Sequence, residues 1–420
     1  MFFGQIFQFF FFWHKNKEDL RIFDSSKERC SMNDKPKQTQ SPKALAWKRF
    51  RSNKLGMVSC GFVLLWALMA LFAYLIIPDK TPNANRQILE ISTKKPGFEV
   101  DMLMIPKETP PAKTPFLQFL FNGRPDDCVY LPFDSIHVDA NQTTVYFYQS
   151  EESLNARTEI VDNRELIQAG PSTGSGTFAF TSAEEADTYI RSHCVKHRKF
   201  LLGTDQFGRD FLSRLVLGSR ISLTVGFIAV LLSLMFGIIV GSLGGFFRGK
   251  VDDAVVWFII VVWSIPTLLL VIAITFAWGK GIAQVFIAVG LTMWVEVARI
   301  VRGQILSIRE TTFVEAGKAL GFKNLRIIFK HILPNILNPI IVVSAANFAS
   351  AILLEGGLSF LGIGVQPPMP SWGSMIKENY AFIILDAAYL AILPGIAIML
   401  LVLAFMLIGN ALREALDVKN

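Results

Sequence analysis

The sequence predicts an all-α polytopic membrane protein with six transmembrane helices and a small α+β insertion between the first and the second. Three observations carry this. Hydrophobic residues make up 52% of the 420, 36 of them Phe, and the mean hydropathy is +0.42, more than one soluble core calls for. Several apolar stretches are each long enough to cross a hydrocarbon layer of ~30 Å. One polar segment, Pro78 to Lys199, interrupts them. With this composition the net charge of +7 reads as asymmetry between loops. No basic cluster interleaved with aromatics stands away from the membrane flanks, which excludes a nucleic-acid partner.

In chain order, Met1 to Trp13 is a Phe-rich run too short to span and without the basic start of a signal peptide. Met32 is an equally good start. Residues 1–56 are expected to be a cytoplasmic extension whose Lys48, Arg49, Arg51 and Lys54 abut the first span, Met57–Ile77. The later spans are Ile221–Phe247, Ala254–Trp278, Ile282–Val301, Pro334–Leu354 and Ala387–Ile408. Six crossings return the C-terminus to the side of the N-terminus. Short loops set the orientation: Arg248 and Lys250 follow the second span, and Arg302, Arg309, Lys318, Lys323, Arg326 and Lys330 follow the fourth. Only Lys280 and Lys377 lie opposite them, so the basic loops and both termini are cytoplasmic.

Residues 78–200 then face outward. Their 17 acidic residues outnumber 13 basic ones, and long translocated segments escape the positive-inside rule. Strand-like runs at Thr143–Tyr148 and Thr177–Phe180, with a Ser182/Glu185 capping box that starts a helix towards Arg191, predict the α+β insertion. Cys128 and Cys194 both fall on the oxidising side, which predicts a disulfide between them. His193, Cys194 and His197 spell H-C-x-x-H, but no second ligand pair is near, so no metal is assigned.

Residues 201–420 carry the remaining spans. Before the second, Asp205, Arg209, Asp210 and Arg214 can form an ion-pair lattice, with Gly203 and Gly208 permitting tight turns. A structural role at the outer mouth follows for Asp205, Gly208, Arg209 and Asp210. Gly237, Gly241 and Gly244 offer a small-residue face, either for local packing or for a second subunit. Gly244 to Lys250 has phosphate-loop spacing, but Val251 replaces the required Ser or Thr and no strand precedes it. The chain therefore carries no ATP site of its own, and no catalytic residue is assigned. Pro266 should kink the third span. Glu296 and Arg299 lie one turn apart and can pair, as a helix clamp or as a lining of a path. The Gly- and Pro-rich stretch from Glu355 to Gly373 is irregular backbone, tolerated at that depth only under protein or beside water. Glu355 is thus an outer-gate candidate, and Trp372 an interface anchor.

The polar segment 307–335 looks built to dock. Thr312 and Glu315 make a capping box for a helix starting at Phe313, and Gly321 is its left-handed stop. Asn324 caps a second helix that Pro334 closes. Phe313, Ala316, Gly317 and Leu320 share one face of the first helix; Leu325, Ile328, Phe329 and Ile332 share one face of the second.

These residues carry a resemblance. Glu315-Ala316-Gly317, Gly321 and Leu333-Pro334 resemble the EAA loop of ABC-importer permease subunits, with Gly317 at the motif's second Ala, His331 at its Ile and Ile332 one place late. Leu202-Gly203-Thr204-Asp205-Gln206-Phe207-Gly208-Arg209-Asp210, and Leu358-Ser359-Phe360-Leu361-Gly362 followed by Pro367-Pro368 and Pro370-Ser371-Trp372-Gly373, are similar to signatures of the dipeptide, oligopeptide and nickel branch. The resemblance implies a type I ABC-importer permease fold in a bacterial inner membrane. It also implies a second permease subunit, two ATP-binding subunits that hold ATP and Mg, and an extracytoplasmic substrate-binding protein. Phe313, Glu315, Ala316, Gly317, Leu320 and Gly321 would couple to the ATPases. Di- or oligopeptides are the expected cargo, with nickel or another small solute as the alternative. Two other classes use the same features differently: an ion-coupled secondary transporter relaying through Glu296, Arg299 and Glu355, and a membrane-anchored sensor working through the insertion.

Overall fold

A computed structural model of the chain describes residues 42–416, apart from 110, 112–113, 149–156, 168–179, 181 and 280. The Phe-rich start, Met32, Cys30, Lys280 and positions 177–179 of the second strand-like run lie outside the described residues. Phe180 is in no strand and packs in a core.

Helix α1 (Pro42–Ser52) leads to α2 (Lys54–Leu71), whose cap Asn53 accepts the Gly56 N–H at 2.9 Å. A short α3 (Ala73–Ile76) continues it. The insertion contains β1 (Phe98–Pro106), α4 (Phe116–Asn122), β2 (Cys128–Val138), β3 (Gln142–Phe147), β4 (Thr158–Asp162), α5 (Asn163–Ile167), α6 (Ala183–His193) and β5 (Val195–Phe200). The bundle follows: α7 (Phe211–Phe247), α8 (Gly249–Trp263), α9 (Thr267–Trp278), α10 (Ile282–Ile308), α11 (Thr312–Ala319), α12 (Asn324–Phe360), α13 (Trp372–Asn379) and α14 (Tyr389–Leu416).

Five of these helices are long and apolar enough to cross a membrane, and α8 with α9 make a sixth if that pair is one span. The expected third span is more than kinked. It breaks over Ser264-Ile265-Pro266 with an 89° bend, because Pro266 has no N–H to continue the ladder and disfavours helical geometry in the residue before it.

The small residues of α7 are used within the chain. A Cβ on Gly237 would lie 2.5 Å from Val297 Cβ, and one on Gly241 2.5 Å from the Ala298 carbonyl. Helices α7 and α10 therefore approach at backbone distance, which settles the small-residue face as local packing.

The insertion is a five-stranded antiparallel sheet in the order β4-β3-β2-β1-β5. Alternation gives it two apolar faces. One carries Leu103, Ile136, Val145 and Val161 under α5 and α6; the other carries Val100, Met102 and Phe200 against Ile88 and Ile91. Ser182 caps α6 by accepting the Glu185 N–H at 3.2 Å, as its sequence predicts.

The expected Cys128–Cys194 disulfide is corrected by the sheet. Both residues are free thiols. Cys128 pairs with Pro106 on one side of β1, whereas the Cys194 carbonyl accepts from Met104 on the other. Two strand spacings of ~4.8 Å exceed the ~7 Å Cα limit of a disulfide. The H-C-x-x-H run disperses as well: His193 stacks on Tyr189 and His197 bonds Asp101 at 2.8 Å. Among the described residues no cluster of metal-ligating side chains forms.

Two devices fasten the sheet to the bundle. Gly203 and Gly208 take φ of +73° and +68°, and a Cβ on Gly208 would sit 1.7 Å from the Ile88 carbonyl. Arg220 of α7 donates to the carbonyls of Ala70, Leu71, Leu120 and Phe121 at 2.8–3.0 Å. It thereby satisfies the free C-terminal ends of α2 and α4 together.

Candidate functional site

The segment that looked built to dock forms a short arm on one end of the bundle. Its helix α11 starts one residue earlier than the capping box implies. Thr311 is the cap, its backbone carbonyl accepts from Val314 and Glu315, and its hydroxyl donates back to Ile308 rather than to the helix. Gly321 ends the turn at φ +76°, as expected.

Beyond it, Pro334 does not close a second helix. Residues Ile327–Ile332 form a π turn and Leu333–Ile336 a 3-10 turn, and the chain runs on into the long helix without a break. A π turn takes up one extra residue. This is the physical content of Ile332 standing one place late: the wider turn brings Ile332, 0% exposed, back under Ile327 and Ile328.

These isoleucines, with Val314 of α11, pack on Val297, Val301 and Ile305 of α10 and on Phe246 of α7. The inward face is therefore Val314 and Gly317 on α11, and Ile327, Ile328 and Ile332 on α12. Of the faces read from the sequence, Gly317, Ile328 and Ile332 point in. The others are left outside: Ala316 is exposed, as is the capping-box Glu315 beside it, and Phe313, Leu320, Leu325 and Phe329 are 44%, 72%, 65% and 51% exposed. Four large apolar side chains beside exposed Lys318, Lys323, Arg326 and Lys330 make an unfilled surface on a rigid base. Arg309 donates to the Phe246 carbonyl at 2.6 Å, Lys318 lies 5.7 Å over the Phe246 ring, and Arg248 pairs with Glu310. The arm is thus bolted to the ends of α7 and α10.

The lattice before α7 forms with one member exchanged. Arg209 donates to Asp205 at 2.6 Å and to Glu378 of α13 at 2.6 Å, and Arg214 lies 3.5 Å from Asp205 and 3.4 Å from Glu378. Asp210 makes no ion pair among the described residues. It caps α7 instead, accepting the Ser213 N–H at 2.9 Å. Nothing local in the sequence signals Glu378.

Glu355 is fully buried inside α12. It accepts from Ser222 at 2.9 Å and from Ser359 at 2.8 Å. It thus ties α12 to α7 through a hydroxyl, and as a fully buried side chain it is not at a surface of this conformation. Trp372, expected at the interface, is 0% exposed. Its Nε1 donates to the Leu215 carbonyl at 2.9 Å and its ring meets Trp66 edge-on, so it is a core residue.

Glu296 and Arg299 do not pair with each other. Both are exposed, and among the described residues neither enters an ion pair. They line one cleft with Ile259, Trp263 and Val295, where the Arg299 guanidinium sits 4.7 Å over the Trp263 ring. Trp263, the last residue before the break in the third span, was not singled out in the sequence.

Long apolar helices, one broken span and an exposed basic arm define a polytopic membrane protein. Residues 233–419 match the family of binding-protein-dependent transport system inner membrane components, and residues 41–92 match the N-terminal TM domain of oligopeptide transport permease C. The chain is 44% identical over 217 residues to the dipeptide transport system permease protein DppC of Alkalihalophilus pseudofirmus, covering 52% of this chain and 71% of that one. It is 40% identical over 218 residues to the glutathione transport system permease protein GsiD of Pectobacterium atrosepticum, covering 52% and 72%. It is also 40% identical over 218 residues to the oligopeptide transport system permease protein OppC of Haemophilus influenzae, covering 52% and 70%.

The chain belongs to the family of binding-protein-dependent inner-membrane transport components, the permease subunits of ABC importers. It is a multi-pass inner-membrane transport subunit and not an enzyme, and its family works with a partner ATPase and a substrate-binding protein.

Proposed function

We propose that this chain forms half of the translocation path of a peptide importer. It pairs with a second, different permease subunit, and the arm around α11 receives one of two ATP-binding subunits. The observation that carries the coupling role is the exposed set Phe313, Glu315, Ala316, Leu320, Leu325 and Phe329 held on a packed base. A push on such a surface moves the ends of α7 and α10 with it, because close-packed interiors shift between discrete arrangements and do not bend gradually. ATP closure of the ATPase pair would bias the bundle between two such arrangements by its differential affinity for them. Relatives named for dipeptide and oligopeptide transport support peptides as the cargo. In this reading the arm and both termini are cytoplasmic, the sheet faces outward as a docking or capping insertion for the binding protein or partner permease, and the binding protein delivers the cargo there.

The test is uptake of labelled trialanine into proteoliposomes holding this chain with its partner permease, ATPases and binding protein. Glu315→Lys and Gly321→Pro should abolish uptake while membrane levels hold. Normal uptake by both variants defeats the coupling role.

A further inference from the structure

Charges set inside the long helices of this chain mostly have protein partners. Arg214 meets Asp205 and Glu378, Arg220 meets four carbonyls, Arg302 grips Asp252 through two bonds of 2.5 and 2.7 Å, and Glu355 holds serines. Glu296 and Arg299 break this pattern near the middle of the 27-residue α10. Among the described residues neither makes a hydrogen bond or an ion pair, although they stand three positions apart on one helix face. A bare charge at that depth costs several kcal/mol in hydrocarbon, so such residues face a watered path or a partner.

The cleft they line supplies a second, independent observation. Its other wall is Ile259 and Trp263, the final turns of α8 where the span breaks by 89°. Broken helices at mid-membrane mark binding sites in transporters, because helix ends present free backbone groups and partial charge where a solute can reach them. Trp263 also holds the guanidinium from beneath at 4.7 Å, which orients Arg299 and leaves its five donors unspent.

We propose that Glu296, Arg299 and Trp263 form a zwitterion subsite on the path. The Arg299 guanidinium takes a cargo carboxylate as a fork, Glu296 takes a cargo ammonium, and Ile259 with Val295 flank an apolar stem. An anion alone would leave Glu296 unpaired and a cation alone would leave Arg299 unpaired. A short peptide with free termini satisfies both. The subsite rests on the permease reading and names the chemistry that reading leaves open.

The experiment uses the assembled permease and ATPase subunits in nanodiscs, without the binding protein, and reads saturation-transfer NMR to trialanine and to N-acetyl-trialaninamide. Wild type should transfer to the free peptide about a hundredfold more than to the capped one, about tenfold for each of the two charged hydrogen-bonded contacts the caps remove. Glu296→Gln and Arg299→Gln should each cut that ratio about tenfold, and the double variant should bring it close to one. Basal ATP hydrolysis by the same preparation reports the folded complex, so a ratio lost while hydrolysis holds is loss of the subsite and not of fold. Equal transfer to both peptides in wild type, or an unchanged ratio in both variants, overturns the subsite. Trialanine uptake by the complete importer is measured alongside. Uptake without this discrimination overturns the subsite alone, and discrimination without uptake overturns the import reading alone.

Discussion

Arg209 Nη2 and Glu378 Oε2 lie 2.6 Å apart across 169 positions of sequence, joining the turn before α7 to α13. Both sides of the contact are shielded: Arg209 is 2% exposed and Glu378 15%. Removing one partner of such a pair strands the rest. Arg209→Ala leaves Asp205, 1% exposed, with the backbone N–H groups of Phe207 and residue 209 but, for an ion pair, only the longer contact to Arg214. We expect a loss of about 3–5 kcal/mol in stability, read as a lower unfolding temperature in detergent. Glu378→Gln should cost less, and the Arg209→Ala/Glu378→Gln double variant less than the sum of the two. Strict additivity would mean that the pair is energetically silent.

The π turn at Ile327–Ile332 accounts for one surplus residue. Deleting His331 should therefore relax it to ordinary helix while the flanking faces keep their alignment. We expect the deletion to accumulate in the membrane at near wild-type levels. Deleting Val343, buried in the regular part of α12, rotates everything after it by about 100° and should abolish accumulation. Equal failure of both would show that the turn is not a removable insertion.

Gly241 faces the Ala298 carbonyl, and a Cβ there would also lie 2.9 Å from Val301 Cβ. Backbone cannot yield as a side-chain tip can. Gly241→Val should cost at least about 1–3 kcal/mol through overpacking, read as a fall in thermal stability. Gly303, with nothing within 4 Å of a built Cβ, is the control, and Gly303→Ala should be neutral or slightly stabilising. Similar losses at the two positions would argue against close α7–α10 packing.

Burial pushes the Cys194 thiol up to about 11. Only the thiolate reacts with maleimide, so native labelling of Cys194 should be minimal at neutral pH and climb as pH approaches that value. Unfolding in denaturant should release it at once. Rapid labelling of native protein at pH 7 would contradict both its burial and the sheet register that places it.

Local chemistry was legible in the sequence. The left-handed Gly203, Gly208 and Gly321, the cap at Ser182, the break at Pro266 and the offset at His331 each follow from a few neighbouring residues. Contacts between distant segments were not legible. Glu378 in the lattice, the serines around Glu355 and the burial of Trp372 depend on which helices meet, which spacing does not encode. The Cys128–Cys194 expectation failed for a related reason: a shared compartment says nothing of the strand that lies between. For Glu296 and Arg299, helical spacing allows a pair, but Trp263 holds the guanidinium instead.

Helix α7 runs for 37 residues, about 56 Å at 1.5 Å per residue. Near its start Arg220 clasps four carbonyls of α2 and α4, and at its end Phe246 underlies Arg309 and Lys318. Neither attachment is a hinge. On the proposed coupling role, the helix would act as a push-rod: thrust on the arm would travel along it to the Arg220 clasp that holds α2 and the insertion's α4.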